Sequence, residues 1–166
     1  MNYLNLEEEK VLPIVIELNT LLADYHLYYQ KLRNFHWNIT GENFFDLHQK
    51  FEDLYTDARI KIDEIAERIL TLRYHPMSNL SNYLEKSAIN ESNTDLDDQK
   101  MVEEILYAHG ILLKQMGKVI KKATDINDEG TIDLIGAYIR ELEKSSWMLN
   151  AWGKRKDEKL KTSLNA

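Results

Sequence analysis

The chain contains no cysteine, which excludes disulfides, thiolate nucleophiles and every zinc or iron–sulfur site built on sulfur. Proline is nearly absent, with two residues, and glycine supplies only six of 166. So few breakers exclude a loop-rich architecture and point to long uninterrupted helices. No apolar run approaches the roughly 18 residues that cross a bilayer, so no membrane partner is expected. Met1-Asn2-Tyr3-Leu4 leads straight into Glu7-Glu8-Glu9, without the basic and apolar regions of a secretory leader. A cytoplasmic location is the expectation. Basic excess is missing as well: a formal net charge of −7 argues against general attraction to nucleic acid or anionic lipid.

What is present is ordinary in bulk, with 43% hydrophobic and 30% charged residues. The length suggests one domain over residues 1–166, able to bury roughly 70% of the unfolded surface. Four long segments carry apolar residues at helical spacing. The first covers about 9–38, through Val11, Leu12, Val15, Leu18, Leu22, Tyr25, Tyr29 and Leu32, with Pro13 expected in its first turn. The second covers about 44–73, through Phe44, Leu47, Phe51, Leu54, Ala58, Ile62, Ile65 and Ile69, and Tyr74-His75-Pro76 stops it. The third covers about 96–123, with N-cap candidates in Asn93-Thr94-Asp95. The fourth covers about 128–152, and a polar tail follows from residue 153.

Between the second and third helices lie roughly 20 residues, longer than a simple up-and-down bundle needs. Asn79 to Lys86 reads as a short helix within this connection. The pattern predicts an all-α, ferritin-like four-helix bundle over about 8–152 with a long crossover. Gly110, Gly117 and Gly136 fall inside helices, where each costs ~1 kcal/mol relative to alanine, and close helix–helix approach is the expected compensation. Ferritin-like bundles usually hold a di-iron centre among their own helices through Glu-x-x-His motifs. None of the five histidines here has an acidic residue three positions before it. A metal centre must then be built elsewhere.

The residues for one are concentrated early. His48 and Glu52 are four apart and share a helix face, and Asp63 and Glu67 repeat that spacing. With His36 they form a set of two imidazoles and three carboxylates suited to iron. His48 and Asp63 are 15 residues apart, ~22 Å along a straight helix, so one ion cannot touch both. Fifteen steps of ~100° return to within about 60° of the starting azimuth, so both pairs look out from one side. An economical solution is a second copy running antiparallel across a two-fold axis, giving two equivalent sites per dimer. The plainer alternative is a surface helix in which Arg59, Lys61 and Arg68 pair with these carboxylates.

Three runs, Asn34-Phe35-His36-Trp37-Asn38, Phe44-Phe45-Asp46-Leu47-His48-Gln49-Lys50-Phe51-Glu52-Asp53-Leu54-Tyr55 and Asp63-Glu64-Ile65-Ala66-Glu67-Arg68-Ile69, resemble the defining stretch of the Dps family, the miniferritins. The resemblance implies a hollow homododecamer that oxidises Fe²⁺ at intersubunit centres, with H₂O₂ preferred over O₂, and stores ferric mineral. It implies a ferroxidase acting in iron storage and oxidative stress, with iron as its metal. His36 and His48 match the family's histidine ligands, and Asp63 and Glu67 match the carboxylates lent by the two-fold partner. Glu52 stands where the family usually has aspartate, so its carboxylate reaches one methylene further. Trp37 matches a tryptophan beside the iron.

The same resemblance gives roles to two charged clusters. Asp125, Asp128, Glu129 and Asp133 match the region whose acidic residues line three-fold pores for Fe²⁺, with Asp133 the first choice. Read without the family they are a solvated loop and an acidic first turn. Some members bind DNA through basic tails, and Lys154 to Lys161 holds five positive and two negative charges. The acidic body opposes phosphate, so only weak, salt-sensitive DNA binding is expected. The competing functional reading is a DNA-protecting protein whose iron chemistry is secondary. His26, His75 and His109 are expected to be structural or solvated, and Trp147 and Trp152 core or interface aromatics.

Overall fold

The computed structural model of the protein describes residues 3–153, and among them there are five helices and no strand. These are α1 (Glu8–Asn38), α2 (Phe44–Thr71), α3 (Leu80–Lys86), α4 (Asp98–Thr124) and α5 (Glu129–Gly153). α1 packs against α2 and α4, α4 against α5, and α3 lies on α1. Side chains join α2 to α5, with Lys61 bonded to Glu141 and Tyr138 to Glu64. The core between the four long helices holds Leu18, Leu22, Phe35, Phe51, Ile65, Ile105, Leu112 and Ile135, all essentially without solvent contact.

α2 and α4 begin at the same end of the bundle, where the Asn43 amide donates to Asp98 at 2.6 Å. The crossover therefore runs the length of the bundle, as the long connection requires. Polar residues of α1 hold it down. Buried Asp24 accepts from the Ser87 hydroxyl at 2.9 Å and the Ala88 N–H at 2.8 Å. Lys31 bonds to Glu104 at 2.7 Å and also to Ser92, while Asn34 donates to the Ser92 carbonyl at 2.9 Å.

Several local expectations are corrected. Pro13 lies inside α1 beyond its first turn. The helix tolerates it because Pro13 and Glu9, whose carbonyl loses its partner, are both on the exposed face. The cap of α4 is Asp97, which accepts from Lys100 N–H at 2.7 Å, and not Asn93, Thr94 or Asp95. The approach through residues 92 and 93 is tied to Asn34 of α1 instead. α2 stops two residues short of the expected 73, with Arg73 at φ 71°. Tyr74 N–H bonds to Ile69 O and Arg73 N–H to Leu70 O, the pair of bonds that closes a helix end around a left-handed residue. Asn127, at φ 57°, ends α4 by the same device through Asp128 N–H to Ala123 O and Asn127 N–H to Thr124 O. A Cβ built on Gly110, Gly117 or Gly136 meets nothing within 4 Å, so close packing inside the protomer does not explain these glycines. Leu12, expected on the apolar stripe of α1, is exposed, and in the short α3 Leu80 and Leu84 are exposed while Tyr83 is buried.

Candidate metal centre

α1 and α2 are joined by residues 39–43. Buried Ile39 anchors the turn, and Gly41, at φ +98°, supplies a backbone conformation that side-chain-bearing residues resist. The turn sets the last two turns of α1 against the first two of α2, so that His36 and His48 face each other. His36 Nδ1 lies 2.8 Å from the His48 carbonyl oxygen, and His48 Nδ1 lies 2.8 Å from the His36 carbonyl oxygen. The His36 carbonyl is free to accept because it belongs to the last turn of its helix.

This exchange fixes the tautomers. A carbonyl oxygen only accepts, so each imidazole carries its proton on Nδ1 and keeps the Nε2 lone pair uncommitted. The rings stack 3.8 Å apart at 22°, Phe44 covers the far face of His48 at 4.9 Å, and Tyr55 abuts His36 edge-on at 5.3 Å. His36 is 8% exposed and His48 half-buried. Two preset nitrogen donors thus sit between Phe44 and Tyr55 in one column of rings.

Glu52 is one turn beyond His48 and half-buried, with Tyr55 Oη 3.4 Å from its carboxylate. Desolvation first and the Glu52 charge second push the Tyr55 phenol above its ordinary range. Asp63 and Glu67 lie further along α2, exposed, and among the described residues neither pairs with a cation. Two of the three cations that could have done so are engaged elsewhere, and Arg59 forms no ion pair among the described residues. Lys61 turns inward to Asp57 at 2.5 Å and Glu141 at 2.8 Å, and Arg68 turns to Asp128 at 2.5 Å and Thr131 at 2.9 Å. The surface salt-bridge reading of Asp63 and Glu67 is therefore not what this chain does. Nor does one chain bring histidines and distal carboxylates together: among the described residues no three His, Asp or Glu side chains converge.

Trp37 projects beside the pair, 58% exposed, with the Arg33 guanidinium 4.6 Å above its ring. Of the acidic cluster, Asp125, Glu129 and Asp133 are exposed. Asp128 is not available to a pore. It is 2% exposed, accepts from Thr131 N–H at 3.1 Å and Thr131 Oγ1 at 2.6 Å as the N-cap of α5, and neutralises Arg68. Trp147 is exposed in the protomer, whereas Trp152 packs against the core. The basic segment from Lys154 lies outside the described residues. Sequence reasoning placed Phe44 on the apolar stripe and gave neither it nor Tyr55 a role at the site, although both share the His48 helix face at spacings of four and seven residues, which was the available signal.

A bundle of four long helices with a full-length crossover, matched over residues 16–156 by the family model for the ferritin-like domain, is a ferritin-like protein. The relatives narrow the class. DNA protection during starvation protein 2 of Bacillus anthracis is 43% identical over 139 residues, covering 83% of this chain and 95% of that one. The DNA protection during starvation protein of Porphyromonas gingivalis is 37% identical, covering 89% of this chain and 92% of its own. The crystal structure of the Dps protein from Vibrio cholerae O1, described as a member of a broad superfamily of ferritin-like diiron-carboxylate proteins, superposes with a TM-score of 0.89. It is 44% identical and covers 93% of this chain and 97% of that one. Within the ferritin-like class, the chain belongs to the Dps family.

Proposed function

We propose that the protein is a ferroxidase that takes Fe²⁺ as substrate at centres shared between two-fold-related subunits and stores the ferric product inside a homododecameric shell. The whole chain acts as one ferritin-like unit, in the cytoplasm. The observation that carries the reading is the reciprocal bonding of His36 and His48, which leaves two Nε2 donors preset while Asp63 and Glu67 of the same helix stay without cations.

In this scheme His36 and His48 of one subunit, with Glu52 behind them, face Asp63 and Glu67 of the neighbour. Imidazole keeps ferrous affinity moderate, and carboxylates favour the hard ferric product. Two ferrous ions held together give two electrons to one H₂O₂, which with two protons leaves as two waters. The one-electron product, hydroxyl radical, is avoided. The Vibrio cholerae relative's diiron-carboxylate class supports two metal ions per centre. Trp37 stands beside the centre. Asp125, Glu129 and Asp133, repeated around three-fold axes, would focus a negative potential that draws cations inward.

Anaerobic loading with Fe²⁺ followed by H₂O₂ tests the reading. The expected result is two irons oxidised per peroxide, with ferric iron retained by the particle. His36→Ala with His48→Ala is expected to slow oxidation to the rate of iron free in buffer, with assembly intact by sedimentation. Wild-type oxidation no faster than buffer would contradict it. The names of the relatives from Bacillus anthracis and Porphyromonas gingivalis favour DNA protection as a second role. Gel shifts across a salt series separate a phosphate-binding tail from none.

A further inference from the structure

Inside the bundle lies a second polar system that the iron chemistry leaves unused. His109 of α4 is 1% exposed, with Nε2 2.7 Å from Tyr28 Oη of α1 and Nδ1 2.8 Å from Ser146 Oγ of α5. The proton positions follow one from another. The Leu142 carbonyl only accepts, so Ser146 donates to it at 2.7 Å. With its one proton spent there, the Ser146 oxygen accepts from His109 Nδ1–H. The Nε2 lone pair is left, and the Tyr28 phenol donates to it. Burial chiefly, and the charge of Lys50 secondarily, lowers the His109 pKa to about 3, so the ring rests neutral. Burial likewise holds the Tyr28 phenol above its ordinary range, with Asp57 adding to the effect.

The pair does not stand alone. Tyr25 meets Tyr28 edge-on at 6.2 Å and Tyr138 at 6.4 Å, so three rings from α1 and α5 pack in a continuous run. Tyr138 donates at 2.5 Å to Glu64, which is exposed, so the run reaches the surface at a carboxylate. Among the described residues the buried Tyr25 hydroxyl has no hydrogen-bond partner. Removing an electron turns a phenol into a strong acid, and a buried phenol keeps the resulting radical only where a base can take its proton. Tyr25 has no such base. Tyr138 would hand its proton to an exposed carboxylate, whereas Tyr28 has a buried base at hydrogen-bond distance, with its lone pair already aimed.

We propose that Tyr28 and His109 form a proton-coupled redox pair that captures oxidising equivalents inside the protein wall. A one-electron oxidant of the hydroxyl-radical class takes an electron from the tyrosine run. The Tyr28 O–H bond breaks as the proton moves to His109 Nε2, and the oxidant, gaining the electron and a solvent proton, leaves as water. A one-electron reductant, ferrous ion being one, returns the electron to the phenoxyl, and His109 returns the proton. The step goes beyond the ferroxidase reading, and its test needs no iron, so either can fail alone.

The test is laser-flash oxidation of the metal-free assembled protein with tris(bipyridine)ruthenium(II) and persulfate, followed by rapid freezing and high-field electron paramagnetic resonance. The wild type is expected to give a long-lived phenoxyl whose g-tensor reports a hydrogen bond from a cation, formed more slowly in D₂O. Tyr28→Phe should lose that signal. His109→Gln, whose amide keeps both hydrogen bonds but cannot take the proton, should lose it too. A signal unchanged in folded Tyr28→Phe overturns the proposal. Should either variant misfold, the wild-type spectrum decides: a phenoxyl lacking the hydrogen bond from a cation overturns it equally.

Discussion

Single residues in this chain are most informative where their partners leave no alternative. Arg68 and Asp128 are such a pair, since Asp128 is buried and Arg68 is its one cation among the described residues. Gly130 keeps the approach open, because a Cβ there would come within 3.1 Å of the guanidinium. Arg68→Ala strands the Asp128 charge and should cost about 3–5 kcal/mol in urea unfolding. A change well under 1 kcal/mol would show that the pair is solvated. His109 gives a pH prediction with a definite sign. Its folded pKa of about 3 lies below the unfolded value of 6.5, so the unfolded chain binds the extra proton in between. The stability this site contributes is whole above 6.5 and is lost as pH falls towards 3. The slope is about 1.4 kcal/mol per unit. His109→Gln should flatten that slope at equal protein concentration, and an unaltered slope would place the titration elsewhere.

At the scale of elements, the turn between α1 and α2 matters most, because it alone sets the two histidines face to face. Gly41→Ala forces a side chain into a left-handed conformation and should cost about 1–2 kcal/mol, measured by urea unfolding. No loss would mean the turn relaxes freely. The four long helices were legible because their apolar residues recur at helical spacing and almost nothing breaks them. The crossover's length was legible, and with it the bundle's connectivity. The ends were less so. Asp97 displaced three earlier cap candidates because residues 92 and 93 are held by Asn34, a contact 58 and 59 positions away in sequence. Arg73 adopts a left-handed conformation that its residue type does not announce, whereas Asn127 is of a type that favours one. The identity of the candidate ligands could be read from spacing and family likeness. The carbonyl acceptors that fix their tautomers could not, since a main-chain oxygen has no signature in sequence. Asp128 looked like its acidic neighbours, and only the fold shows it buried under Arg68.

At the scale of the whole molecule, one face of α2 carries large apolar residues that the protomer leaves uncovered. Phe45 is 82% exposed, Ile60 49% and Leu70 50%. At ~100° per residue these three fall on the same side of α2 as Glu52, Asp63 and Glu67. A face that mixes uncovered apolar residues with unpartnered carboxylates suits a self-complementary contact, in which each copy gives the other what it lacks. The central claim is that the centre is completed by a neighbour, and mixing two dead variants tests it most directly. One variant carries His36→Ala and His48→Ala, the other Asp63→Asn and Glu67→Gln, and the two are unfolded, mixed in equal amounts and reassembled. Each alone should oxidise Fe²⁺ no faster than buffer. In a mixed dimer one seam joins intact histidines to intact carboxylates, so random pairing should restore about a quarter of the wild-type rate. A co-assembled particle, verified by mass spectrometry to contain both variants, that stays as inactive as its parents would contradict the shared centre.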